Sequence, residues 1–158
     1  MPVNSDDFRA ALSRFASGVT VVTTKDANGK LHGLTVSAFC SVSLEPPMIL
    51  VCIEKATASH YAFAESEIFT VSILNDSHVH FSEHFATELV DKFEAFELPL
   101  ESNGLPAIEG ATAVLNCKVR FAHDGGDHTI FVADVENTFI SDNDPLIYFR
   151  SEYRNLSV

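Results

Sequence analysis

Small hydroxyls, a lysine and a few histidines carry the chemical possibilities of this sequence. Read as a strand, residues 33–43 put Thr35, Ser37, Phe39, Ser41 and Ser43 on one face and Leu34, Val36, Ala38, Cys40 and Val42 on the other. The second set reads as core. The first offers close approach and several hydrogen bonds without bulk, which suits a flat polar ligand lying on the sheet and would equally suit a strand facing solvent. In Glu54-Lys55-Ala56-Thr57-Ala58-Ser59 a cation precedes two hydroxyls at the start of an alanine-rich stretch. Such a segment can hold an anion, or it can be a surface lysine ahead of an ordinary helix cap. In Gly125-Gly126-Asp127-His128 the glycines allow a tight turn and Asp127 can orient or charge the imidazole; a solvent-exposed turn histidine would look the same. His78, His80 and His84, with Asp76 and Glu83 close by, have residue types that zinc takes, although a polar helix start needs no metal.

Elements of regular structure must position these groups. Ser5 reads as the cap of a helix with Asp6 and Asp7 in its first turn; Phe8, Ala11, Leu12, Phe15 and Ala16 follow at helical spacing and Gly18 stops it. Residues 19–24 form a β-branched strand, and Asp26-Ala27-Asn28-Gly29 turns it into the hydroxyl-rich strand. Residues 48–53 are apolar throughout, as in a strand covered on both faces. A short helix over 56–66, with Thr57 as its cap, leads to a strand at 69–74. Helical character returns over about 79–96, with Phe81, Phe85, Leu89 and Phe93 on one stripe. The turn-rich stretch 100–110 is expected to pack irregularly on the surface. Residues 113–121 and 129–140 read as two long strands joined by a turn, and 146–149 as a last short one. Some seven strands with short hairpins and a few peripheral helices predict a closed or nearly closed antiparallel β-barrel in one domain, residues 1–158.

The balance of charge narrows the function. Ten Lys and Arg against 22 Asp and Glu give a net charge of -12, a field that repels phosphate and excludes nucleic acid and anionic membranes as partners. Any phosphate ligand must then be met by a local basic group. No apolar run has the length of a membrane span, and the acidic N-terminus is unlike a signal peptide, so a cytoplasmic protein is expected. Cys40, Cys52 and Cys117 lie in apolar runs without CxxC spacing and are expected to be buried free thiols.

Four segments coincide in order. Arg14-Phe15-Ala16-Ser17-Gly18-Val19-Thr20-Val21-Val22-Thr23-Thr24, then Gly33 through Pro47, then Gly126-Asp127-His128-Thr129-Ile130-Phe131-Val132, then Pro145-Leu146-Ile147-Tyr148-Phe149-Arg150, together resemble the flavin reductase family with the FMN-binding split-barrel fold. The resemblance spans nearly the whole chain. It implies a mainly β fold, an antiparallel split β-barrel of Greek-key type with a few peripheral helices. It also implies a small homodimeric NAD(P)H:flavin oxidoreductase that supplies reduced flavin to a separate monooxygenase. A flavin-binding store or sensor without turnover is the alternative on the same barrel.

Residue by residue, the resemblance makes Thr35, Val36, Ser37 and Ala38 the wall against the flavin, with Ser41 nearby, and Glu54, Lys55, Ala56, Thr57 and Ser59 the phosphate end. Phe85 with Ala86, and Lys92 with Phe93, match pairs beside the flavin. His128 matches the residue at the mouth of the site where the reduced nicotinamide binds, and Tyr148, Arg150 and Tyr153 match dinucleotide contacts. FMN or FAD, and NADH or NADPH, stay open. The cofactors carry the reacting atoms, so no catalytic side chain is expected. Ala38, Cys40 and Ala58 depart from the hydroxyl-rich pattern of many relatives.

Overall fold

The computed structural model describes residues 2–88 and 91–156. Asn4 rather than Ser5 caps helix α1 (Ser5–Leu12), its Oδ1 accepting the amide of Asp7 at 2.8 Å. The helix stops at Leu12, before the expected Gly18, because the chain must extend as β1 (Ser17–Gly18) to pair with a strand near the C-terminus. Phe8, Leu12 and Phe15 all face solvent. There follow β2 (Thr20–Lys25) and β3 (Leu31–Val36), joined by a turn in which the carboxylate of Asp26 accepts the amides of Asn28 and Lys30. Next come β4 (Phe39–Leu44), β5 (Pro47–Glu54), α2 (His60–Glu65), β6 (Ile68–Ile73) and α3 (Val79–Phe85). The chain closes with β7 (Ala113–Gly125), β8 (His128–Ile140), β9 (Ile147–Phe149) and β10 (Glu152–Arg154).

Seven strands form one antiparallel sheet in the order β3-β2-β6-β7-β8-β5-β4, and β1-β9-β10 form a small second sheet. The edge strands of the large sheet, β3 and β4, are consecutive in the chain, with Ser37 and Ala38 alone between them. The two-residue link brings those edges together at one place, in keeping with the split barrel that the resemblance implies. Val22, Val36, Val51, Ile53, Phe69, Val71, Cys117 and Phe131 fill its interior. A second apolar layer lies outside, where Val21, Leu74, Phe85 and Leu146 pack against Ala107 and Ile108.

That outer layer overturns the surface-loop expectation for residues 100–110. Leu105, Ala107 and Ile108 are fully buried, and the loop is tied down by polar contacts: Thr23 Oγ1 donates to the carbonyl of Pro106 at 2.7 Å, and the amide of Ile108 donates to Ser72 Oγ at 3.0 Å. Truncating Leu105 or Ile108 to Ala would cost about 2–5 kcal/mol, as for other buried aliphatics.

The hydroxyl-rich strand is not continuous. It breaks at Ser37–Ala38, and a bulge at Val42 shifts the β4–β5 register between Ser41 and Ser43. The break inverts the alternation, so Phe39 packs on the barrel core beside Val36 while Ala38, Cys40 and Val42, expected inside, are exposed. Cys40 is therefore an exposed thiol and Cys52 a half-buried one, and of the three cysteines Cys117 alone is buried. β5 buries Ile49, Val51 and Ile53 and leaves Met48, Leu50 and Cys52 half-covered, in place of burial on both faces. α2 starts at His60 after Ser59, so Thr57 does not cap it; the Thr57 hydroxyl instead donates to the carbonyl of Glu54 at 3.0 Å. α3 ends at Phe85, and Phe93 and Phe96 return to it through irregular chain, with ring centroids 5.3 Å from Phe85 and 4.8 Å from Phe81. Leu89, placed on the same stripe by its spacing, lies outside the described residues.

Candidate functional site

A cleft of about 720 Å³ opens at the Ser37–Ala38 break. One wall is Leu34, Thr35, Val36, Ser37 and Ala38; the turn Ala56, Thr57, Ala58 and Ser59 forms one end; Phe85, Ala86, Thr87, Glu88 and Lys92 close the opposite side. The break matters because residues outside the ladder keep free backbone groups. Among the described residues, the amides of Ser37, Ala38, Ala56, Ala58 and Ser59 donate to no protein acceptor. The cleft is thus edged with unspent donors as well as hydroxyls. Thr35 has its hydroxyl committed to the carbonyl of Ser82 at 2.6 Å, which leaves it an acceptor towards the cleft.

Lys92, which the resemblance puts beside the flavin, is a buried cation, only 7% exposed. Its Nζ donates to the carbonyls of Gly33 (3.1 Å) and Phe85 (2.8 Å), bracing β3 against α3, and burial pushes the ammonium below its usual range. Lys55 does the work elsewhere. Its Nζ donates to Asp124 and to the carbonyl of Gly126 (2.6 Å), and its amide donates to the carbonyl of Asp127 (2.8 Å). It does not line the cleft and instead clamps the β7–β8 hairpin tip, so the sequence expectation of a phosphate-facing charge is replaced by a structural one. The hydrogen bond from Lys55 holds the Asp124 carboxyl below the usual carboxylate range.

The clamped tip carries His128. Only Gly126, at φ +78°, and Asp127 separate the two long strands, and a side chain at Gly126 would be strained in that conformation. His128 Nδ1 lies 2.7 Å from Asp127 Oδ1, a hydrogen bond that lowers the Asp127 carboxyl. His128 pairs with Glu54 across β8 and β5. Beyond it lies a second concavity of about 660 Å³, lined by Phe8, Arg9, Leu12 and Phe15 of the N-terminal segment and by Tyr148, Arg150 and Ser151. Arg150 and Ser151 hold positive φ angles of 50° and 61°, unusual for side-chain-bearing residues and located on the groove wall. Ser37, Glu54 and His128 line both concavities and so form their common border.

Residues 12–157 match the family described as "Flavin reductase like domain". The chain belongs to the flavin reductase family. It is 39% identical over 145 residues to an FMN reductase (NADH) of Agrobacterium fabrum, covering 92% of this chain and 82% of that one. It is 36% identical over 152 residues to the reductase component of a 4-nitrophenol 4-monooxygenase/4-nitrocatechol 2-monooxygenase of Rhodococcus opacus, covering 96% and 81%. Among solved structures, the NADH:FAD oxidoreductase of Streptomyces globisporus in complex with NAD and FAD fragments superposes with a TM-score of 0.91 at 31% identity, over 99% of this chain and 97% of that one.

For a flavin reductase the chain's own residues fit a flavin: a flat cleft, free amides at the Ser37–Ala38 break, and further free amides with hydroxyls at 56–59. Of the residues singled out in the sequence, Thr35, Val36, Ser37, Ala38, Glu54, Ala56, Thr57, Ser59, Phe85, Ala86, Lys92 and His128 line the cleft. Tyr148 and Arg150 line the groove. Ser41 lines neither, because the strand break and the bulge leave it exposed on β4 opposite Ile49. Tyr153 also lines neither: its hydroxyl lies 2.8 Å from Ser82 Oγ and its ring packs on the outer apolar layer. Of the histidines weighed for zinc, His78 Nδ1 accepts the amide of Asn75 and His84 Nε2 lies against the carbonyl of Lys92, while the ring of His80 packs on Phe81. Among the described residues no three His, Cys, Asp or Glu side chains converge on a metal position. The groove-forming role of α1 was not read from the sequence, although its amphipathic stripe is visible there, and Asp26 was read only as a turn residue and His32 not at all.

Proposed function

We infer that the protein is an NAD(P)H-dependent flavin reductase that passes reduced FMN or FAD to a separate monooxygenase. The observation that carries this reading is the shared border of the two concavities at Ser37, Glu54 and His128. A planar ring in the cleft and a second planar ring entering from the groove would meet there. Hydride transfer from nicotinamide C4 to flavin N5 is chemistry the cofactors supply. The protein's task is alignment at about 3–3.5 Å and exclusion of other poses. Ser37 and Ala38 present backbone amides to the flavin ring system, the 56–59 turn meets its phosphate end, and Phe85 and Lys92 close the far side. His128, steadied by Asp127, positions the nicotinamide, while Tyr148 and Arg150 hold the rest of the dinucleotide.

The reductase component from Rhodococcus opacus supports the monooxygenase partner. The unpartnered apolar face of Phe8, Leu12 and Phe15 supports a homodimer, since a face of that kind usually marks an interface. The chain acts as a single flavin reductase domain in the cytoplasm, where an exposed thiol such as Cys40 stays reduced. No helix among the described residues is long and apolar enough to cross a membrane. Steady-state oxidation of NADH and NADPH with FMN and with FAD tests the reading: flavin-dependent turnover is expected with at least one pair.

A further inference from the structure

A buried polar chain runs behind the cleft wall, and ring alignment leaves it unused. Asp26 is buried and its oxygens are fully occupied: Oδ1 accepts the amides of Asn28 (2.9 Å) and Lys30 (3.0 Å), while Oδ2 accepts the hydroxyl of Tyr61 (2.9 Å) and Nε2 of His32 (3.2 Å). His32 is buried too, its ring edge-on to Tyr61 at 5.2 Å. Its other nitrogen, Nδ1, lies 3.2 Å from Ser59 Oγ, and Ser59 lines the cleft. A carboxylate, an imidazole and a hydroxyl therefore stand in series from the interior to the wall.

We propose that Asp26 and His32 are positioning residues that hold the Ser59 hydroxyl as a hydrogen-bond donor to the phosphate of a bound flavin. The proposal rests on the reading that residues 56–59 meet the phosphate end. Asp26 keeps a proton on Nε2, so the state of Nδ1 sets the direction of the Ser59 proton. With Nδ1 bare, Ser59 donates inward and turns lone pairs to the cleft, which repels an anion. With Nδ1 protonated, the ring donates to Ser59 Oγ and the hydroxyl proton points outward. The titratable groups facing His32 are Asp26 and Tyr61, with Glu65 next to Tyr61. A ring that never touches the ligand thereby sets preference for phosphorylated flavin.

The test is the ratio of dissociation constants for riboflavin and FMN, measured in the wild type, Ser59→Ala, His32→Gln, the double variant and His32→Asn, with unfolding midpoints to verify folding. The Gln amide reaches the place of Nε2 and keeps the Asp26 contact but not that to Ser59; the Asn amide reaches the place of Nδ1 and keeps the latter. The wild type should prefer FMN, and Ser59→Ala and His32→Gln should each cut the ratio about tenfold, the size of one charge-assisted hydrogen bond. The double variant should lose no more than either single one, and His32→Asn should keep part of the preference. Loss in Ser59→Ala with full preference in His32→Gln, or additive losses in the double variant, overturns the relay and leaves the phosphate reading standing. Equal binding of FMN and riboflavin by the wild type overturns both.

Discussion

Lys55 Nζ donates to the carboxylate of Asp124 and to the carbonyl of Gly126, tying the turn after β5 to the tip of the β7–β8 hairpin. An exposed ion pair of this kind contributes little to stability, but it lies at the hairpin tip that carries His128. Lys55→Met should therefore raise KM for the reduced nicotinamide severalfold while flavin affinity and the unfolding midpoint stay close to wild type. Weakened FMN binding with unchanged nicotinamide KM would return Lys55 to the phosphate.

Gly33 lies against the ring of Phe85. A Cβ built there would come 2.8 Å from Phe85 Cε1 and 3.0 Å from Phe93 Cζ, and Phe85 is fully buried with nowhere to retreat but the cleft. Gly33→Ala should cost about 1–3 kcal/mol of stability through overpacking and lower flavin affinity as the ring swings inward. Thermal unfolding and flavin titration measure the two effects; unchanged flavin affinity in a destabilised variant would show that Phe85 yields away from the cleft.

Burial alone would raise the Asp26 carboxyl, but hydrogen bonds from His32, Tyr61 and the amides of Lys30 and Asn28 outweigh it and bring the group down from 3.8 to about 2. A carboxyl depressed on folding stabilises the native state above its unfolded value and loses that contribution as pH falls. The window here runs from 3.8 down to about 2. Unfolding midpoints of the wild type should drop across it, and Asp26→Asn should lower the midpoint at neutral pH and flatten the acid limb. Parallel acid limbs in the two proteins would contradict this assignment.

Leu12 and Phe15, the latter 81% exposed, form the uncovered face of α1 and its following turn, and the same residues line the groove. Leu12→Asp should shift sedimentation from twice the chain mass towards 17.3 kDa and weaken saturation by nicotinamide. A monomeric wild type would overturn the homodimer, and a variant that remains dimeric would move the interface elsewhere.

Periodicity carried much of the fold. β2, β6 and the β7–β8 hairpin are β-branched or alternating runs bounded by turn residues, and they sit where such runs should. What periodicity hides is a change of phase. The Ser37–Ala38 break and the Val42 bulge invert the inward face of the hydroxyl strand, which is why Phe39 is packed on the core and Ser41 falls outside the cleft. Composition misleads at residues 100–110, where Gly, Asn and Pro suggest exposure while Leu105 and Ile108 are anchors of the outer layer. At the site, residue types alone left Lys55 undecided between an anion contact and a surface charge; the structure pairs it with Asp124, and a separation of 69 residues is not legible in one sequence. Lys92 and His32 gave no local signal either, since their partners lie on other elements.

Flavin bound in the cleft would receive hydride from a nicotinamide positioned at His128. Anaerobic stopped-flow mixing of the flavin-loaded protein with NADH, and separately NADPH, measures it directly. Bleaching of the flavin absorbance that saturates with nucleotide is expected, and in His128→Ala a half-saturating concentration raised roughly tenfold with flavin affinity unchanged. Tight flavin binding without bleaching by either nucleotide would mark a flavin store rather than a reductase, and wild-type nucleotide dependence in His128→Ala would remove that residue from the site.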